Sequence, residues 1–260
     1  MTANSIVYTS SGFVIAADGR CKATDPAGSK ERETDEAQKV FPLEHKNGVL
    51  AYTIAGFTFT EDGRLDVVRE VSTIAPTLAN REFSTAQIYC TALCRKLRHV
   101  INAAVKDGSI ERFPPNEHLP EEDRNMICRI FVVGYFKARP IWIIATFAHD
   151  EENRITFSLN TVELLPGRSW HMGSTIINNL MYEDRDERFR EYTKVLRYDS
   201  SIDDAIENSL GFIAACSLPL AAELDPICIY IGGRAHLATV TKSHGFQWRV
   251  PPAVPQSVQS

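Results

Sequence analysis

What this chain lacks narrows its function before any motif is considered. Its 260 residues contain no apolar run approaching the roughly 18–20 residues that a membrane-spanning helix needs. The longest candidates, Ile141–Ala148 and Gly211–Ala222, are short or interrupted by Ser217 and Pro219. Positive charge is not in excess: Lys+Arg 28 against Asp+Glu 33 leaves a net charge of −5, which argues against a dedicated nucleic-acid binder. No Lys or Arg precedes Arg20, so a Sec-type signal peptide is not expected. The six cysteines, Cys21, Cys90, Cys94, Cys128, Cys216 and Cys228, form neither a C-x-x-C pair nor a zinc-type spacing. Neither a metal nor a cofactor is therefore expected, and reduced structural thiols in a cytoplasmic protein are the reading that fits.

What the chain does contain is the composition of a globular protein, with 44% hydrophobic and 23% charged residues. No linker separates two halves, so one domain is expected over residues 2–250. The Pro-, Ser- and Gln-rich residues 251–260 follow as a disordered tail. Apolar runs at 5–8 and 13–17, split by Thr9-Ser-Ser-Gly12, predict a hairpin. Residues 22–36, with Pro26 and Gly28, read as a loop. Strands at 39–43 and 49–54 flank the Asn47-Gly48 turn.

Helices are predicted over 62–78, shortened by Pro76, and over 84–108, opening on Ser84-Thr-Ala-Gln87 as a capping box. Strands follow at 126–135, 140–148 and 154–164. A short helix starts near Gly173-Ser174, and a longer one runs from the Ser201–Asp204 box to about 222. Strands at 227–231, 235–240 and 247–250 close the chain. Hairpin-linked strands with helices in blocks define an α+β protein with mainly antiparallel sheets.

At Gly12-Phe-Val-Ile-Ala-Ala-Asp-Gly-Arg20 the sequence resembles the G-V-V-[IL]-A-[AG]-D-[SG]-[RQ] segment of proteasome β subunits and HslV-type peptidases. The likeness continues through Lys39-Val-Phe-Pro-Leu43, Ile54-Ala-Gly56, Val132-Val-Gly-Tyr135, Met172-Gly-Ser-Thr175 and Ile231-Gly-Gly233. The resemblance implies a four-layer αββα sandwich of the N-terminal-nucleophile (Ntn) hydrolases. It also implies that Thr2, sixteen residues before Asp18, is the nucleophile once Met1 is removed. A free α-amine, of pKa about 7.7–8.0, can then serve as base for its own hydroxyl.

By the same resemblance Lys39 stands beside that hydroxyl, Asp18 pairs with Lys39, and the Gly56 amide serves the oxyanion. Ser174, or Met172 in another register, marks the later helix start. Ile54 lines a specificity pocket, and Lys22 takes the place of a substrate-contacting Thr. The implied setting is peptide or protein cleavage in a homo-oligomeric ring, with an ATPase unfoldase as a candidate partner.

Two features depart from the pattern. The segment between Asp18 and Lys39 is five residues longer, with Asp25–Lys30 as the insertion. Late in the chain, Ile231 and Cys228 occupy the Ser and Asp places of Asp-x-x-Ser-Gly-Gly. Asp225 can substitute only if the turn is three residues longer. A non-catalytic structural subunit and a small-molecule amidase on the same fold therefore remain open alternatives. Other polar features have plainer readings: Glu183–Arg190 as a solvated charge run, and His236 as a structural histidine in a strand.

Overall fold

The computed structural model describes residues 2–24, 31–56, 65–106, 124–152 and 154–252. Along the chain the strands are β1 (Asn4–Thr9), β2 (Gly12–Ala17), β3 (Cys21–Thr24), β4 (Glu31–Thr34), β5 (Val40–His45) and β6 (Gly48–Gly56). Helices α1 (Val67–Ala79) and α2 (Ala86–Lys106) come next, then β7 (Met126–Phe136), β8 (Arg139–His149), β9 (Ile155–Thr161) and β10 (Arg168–Met172). The last part holds α3 (Thr175–Tyr182), α4 (Ile202–Cys216), α5 (Pro219–Leu224), β11 (His236–Thr241) and β12 (Gly245–Val250). Two 3₁₀ turns, Glu187–Tyr192 and Pro226–Tyr230, lie among these helices.

The chain divides into two compact units, one built from residues 1–42 and 164–260 and the other from 43–163. In the first unit five strands run in the order β10-β1-β2-β11-β12, all pairings antiparallel. Strands β1 and β2 are buried almost throughout, which is why they read as continuous apolar runs rather than alternating ones. Val7, Val14, Ala16 and Leu237 share a core with Ile177, Met181, Phe212, Ile213 and Cys216 of α3 and α4. The buried Ser5 hydroxyl meets that of Ser209 at 2.9 Å, tying β1 to α4 without leaving either polar group unpaired.

The second unit carries a sheet of order β5-β6-β7-β8-β9. Tyr89, Cys90, Leu93, Cys94, Leu97 and Ile101 form the buried stripe of α2, at the spacing that lets one helical face meet a neighbour. Phe83, Tyr89, Phe136 and His45 cluster with ring centroids 4.9–6.2 Å apart. The β7–β8 connection is a two-residue turn with Lys137 and Ala138 at φ 49° and 60°, whose twist suits a tight hairpin.

Several elements differ from the sequence reading. The stretch expected as a loop at 22–36 contains the β3–β4 ribbon, with Cys21 opposite Thr34; residues 25–30, the expected insertion, lie outside the described residues. Helix α1 starts at Val67, capped by Asp66, and runs through Pro76 to Ala79. Burial of Val71, Ile74, Ala75 and Leu78 offsets the hydrogen bond that proline cannot make. Thr85, not Ser84, supplies the cap of α2, its Oγ1 accepting from the Ile88 amide.

Strand β10 went unpredicted because Arg168-Ser-Trp-His-Met has no alternation. The run expected as one helix to 222 breaks at Ser217, and α5 restarts with Pro219 in its first turn. The expected strand 227–231 is instead the 3₁₀ turn Pro226–Tyr230. The loop 107–125 and the tail 251–260 lie mostly outside the described residues.

Candidate functional site

The polar centre of the first unit is assembled by strand register. Asn4 lies opposite Ala17 on β2 and opposite Met172 on β10. One step outward, Ala3 therefore meets Asp18 on one side and Gly173 on the other. The Asp18 amide donates to the Ala3 carbonyl at 3.0 Å, and the Ala3 amide returns a bond to Asp18 Oδ1 at 2.9 Å. A Cβ on Gly173 would sit 3.2 Å from the Ala3 Cα, so β10 approaches equally closely. Thr2 is the next residue along, 6% exposed, and the same register sets it level with Ser174.

Asp18 is fully buried, which normally penalises a carboxylate. Burial raises its pKa, while the Lys39 ammonium and the amides of Gly232 and Ala3 oppose that rise. Lys39 Nζ donates to Oδ1 at 2.7 Å, and the Gly232 and Arg20 amides donate to Oδ2 at 3.1 and 3.2 Å. Every group facing this side chain is a donor, so the pocket is made for the ionised form. Lys39 Nζ also donates to the Arg20 carbonyl. The inferred Asp18–Lys39 pair is thus present, and Thr2 adjoins Ala3, whose amide and carbonyl both bond Asp18.

Ser174 joins from the other side. It caps α3 by accepting from the Ile177 amide at 3.0 Å, and it donates to Asp225 Oδ2 at 2.6 Å. The register ambiguity with Met172 is thereby resolved, since Met172 belongs to β10. Asp225 Oδ1 in turn caps the 3₁₀ turn through the Ile227 amide. The Cys228 thiol contacts both Ser174 and the Cys216 thiol. Ile231, in the place where a serine was expected, is 1% exposed and belongs to the apolar core. Between Asp225 and Ile231 the chain forms the 3₁₀ turn Pro226–Tyr230, and from its cap position Asp225 reaches Ser174.

Three further arrangements could not be read from the sequence. Arg20 grips Asp35 through Nε–Oδ1 at 2.8 Å and Nη2–Oδ2 at 3.3 Å, while Nη1 reaches the carbonyls of Ile229 and Ile231. Gly232 adopts φ +152°, and a Cβ there would stand 2.9 Å from the Arg20 guanidinium carbon. Gly19 is needed for space: its Cβ would lie 2.4 Å from the Asp35 carbonyl oxygen. His236 Nε2 accepts from the amides of Lys39 at 2.8 Å and Val40 at 3.2 Å. The Asp-Gly-Arg run and Asp225 are legible in sequence; the partnerships made by Asp35 and His236 have no local signature.

The remaining predicted residues are elsewhere or only partly described. Lys22 lies on β3, opposite Glu33. Ile54 and Gly56 lie on β6 of the second unit; Ile54 is buried there and Gly56 ends the strand at φ +98°. Among the described residues no group of three or more His, Cys, Asp or Glu side chains could hold a metal ion, and no helix is long and apolar enough to cross a membrane. All six cysteines are free thiols; Cys90 and Cys94 share α2, and burial pushes Cys90 up to about 12.

The two antiparallel five-stranded sheets and their helices make an α+β protein with a proteasome-like Ntn fold. Among solved structures the chain is similar to the Anbu (Gly-1) mutant from Hyphomicrobium sp. strain MC1. The likeness has a TM-score of 0.51 at 13% identity, over 98% of this chain and 89% of that one. No family model and no curated protein matches the sequence.

Proposed function

We propose that this protein is an N-terminal-nucleophile hydrolase of amide or peptide bonds, with Thr2 as nucleophile after removal of Met1. The observation that supports the reading is the two-way backbone bonding of Ala3, the residue after Thr2, with Asp18, whose carboxylate pairs with Lys39; the Ser174–Asp225 bond is a second polar pair in the same unit. The fold likeness supports the same class of chemistry.

In this reaction the free α-amine takes the proton of Thr2 Oγ as Oγ attacks the substrate carbonyl. The Lys39 ammonium, held by Asp18, favours the developing alkoxide. The new Oγ–C bond forms as the C–N bond breaks, and the amine product leaves with the proton. Water then hydrolyses the ester, returning Thr2 and releasing the acid. The Ser174–Asp225 pair fixes the start of α3 beside the nucleophile. A peptide or protein substrate, a homo-oligomeric ring and delivery by an ATPase unfoldase belong to the same reading, as does a cytoplasmic setting.

The test is covalent trapping with a β-lactone or an epoxyketone, read by intact mass and peptide mapping. The expected result is loss of Met1 and one adduct on Thr2. Lys39→Ala is expected to slow trapping about 100- to 1,000-fold, and Thr2→Ala to abolish it. Retained Met1 in the purified protein, or an adduct whose rate ignores Lys39→Ala, sinks the mechanism. A non-catalytic subunit is the second reading, favoured by the burial of Thr2 and by Ile231 in the core; absence of any adduct with Met1 already removed supports it.

A further inference from the structure

We propose that His236 is the positioning residue for Lys39, a role that rests on the catalytic reading of Lys39 above. His236 opens β11, is 1% exposed, and pairs across the sheet with Ala17, the residue before Asp18. Lys39 lies immediately before β5, so the amides of 39 and 40 need an acceptor at the strand's entrance. One imidazole nitrogen supplies it for both, from 197 and 196 residues away in sequence. Asp18 holds the far end of the Lys39 side chain and His236 holds its backbone.

The arrangement dictates a protonation state. A nitrogen that accepts two N–H groups carries no proton, so His236 is neutral with its hydrogen on Nδ1. Nδ1 is directed toward the Arg234 carbonyl without reaching strict hydrogen-bond geometry. The charge that acts on the ring is that of Lys39, before β5; Arg234, before β11, faces it through its backbone, Ala17 of β2 lies opposite it, and β12 sets the Trp248 ring 6.2 Å away. Burial and the nearby Lys39 charge push the imidazole down to about 4, so the acceptor persists across the range in which an α-amine can act as base. Protonation would turn the acceptor into a donor facing two further donors and release Lys39.

The experiment compares wild type, His236→Leu, His236→Asn and His236→Gln by amide hydrogen exchange of the peptide spanning 39 and 40, and by β-lactone trapping of Thr2. Gln places an oxygen near the Nε2 position, Asn a shorter one, and Leu none. Exchange of the 39–40 amides is expected to accelerate by about 10-fold in the Leu and Asn variants, while other amides of β11 change little and Gln restores protection. The maximal trapping rate is expected to fall by a similar factor in Leu and Asn, with half-saturation unchanged, and to recover in Gln.

If Leu does not fold, Asn against Gln makes the same comparison. Unchanged exchange at 39–40, or faster exchange with an unchanged trapping rate, overturns the proposal. Absence of trapping in wild type overturns the catalytic role of Lys39 and this proposal's consequence for it, while the exchange data still report whether His236 holds that backbone.

Discussion

At the scale of single residues, the Asp18–Lys39 pair and the imidazoles of His171 and His236 each set a measurable property. Asp18 has four donors on two oxygens, so Asp18→Asn leaves the Lys39 charge uncompensated and turns one acceptor into a donor. Its expected cost is about 3 kcal/mol in the urea unfolding free energy. His171 lies between Tyr182 and Phe212, with ring centroids 5.0 and 4.6 Å away, and burial pushes it down to about 3. His236 sits at about 4.

Both histidines titrate lower in the folded chain than the about 6.5 expected unfolded. Their contribution is therefore complete above about pH 6.5 and falls away as pH drops toward 4, because the unfolded chain takes up the protons first. Unfolding midpoints measured from pH 7.5 to 4.5 should decline, and His236→Gln should flatten part of that decline. Of these residues the sequence pointed to Asp18 and Lys39, through a local motif. It left His236 as an ordinary strand histidine because the amides it serves are 197 and 196 positions away.

At the scale of elements, several features whose deciding partners lie within a turn were legible in the sequence. The β1–β2 hairpin, α2 and the Ser201–Asp204 capping box are of this kind. Ser201→Ala should lower stability by about 1 kcal/mol through loss of that cap, measurable as a shift in thermal midpoint. The run Ile227-Cys-Ile-Tyr-Ile231 misled because β-branched and aromatic residues favour strands. Asp225 followed by Pro226 was the opposing signal, a cap and a first-turn proline, and it prevailed. Strand β10 is an edge whose pairing with β1 defines it more than its own composition. Close approach of the 18–20, 35 and 232–234 segments depends on glycine. Gly19→Ala should destabilise by about 2 kcal/mol or more, since two backbone oxygens lie within 2.5 Å of the new carbon. Chemical denaturation of that variant checks the point.

At the scale of the whole molecule, the order of strands and helices already implied an α+β protein with antiparallel sheets, and the structure bears this out. Assembly follows from the proposed function rather than from the chain's own surface. A homo-oligomeric ring is expected to show a light-scattering mass that is a multiple of the protomer's and independent of concentration over the micromolar range. A monomer mass would count against the ring while leaving the Thr2 chemistry to be judged by trapping.

Read alone, the sequence settles the elements whose causes are short-range: apolar runs, turn residues, caps, and the hairpin whose register brings Asp18 to Ala3. Register on a buried sheet is strongly specified, because a slip of one residue turns every side chain to the wrong face. Only the tertiary structure decided which acid serves Ser174. The Asp225 carboxylate accepts from it at 2.6 Å alongside the Cys228 thiol, because the 3₁₀ turn that Asp225 caps folds both back toward Ser174, which a linear count cannot show. The same holds for the imidazole at Lys39: a buried amide needs an acceptor, and which distant side chain supplies it depends on how the strands meet in space.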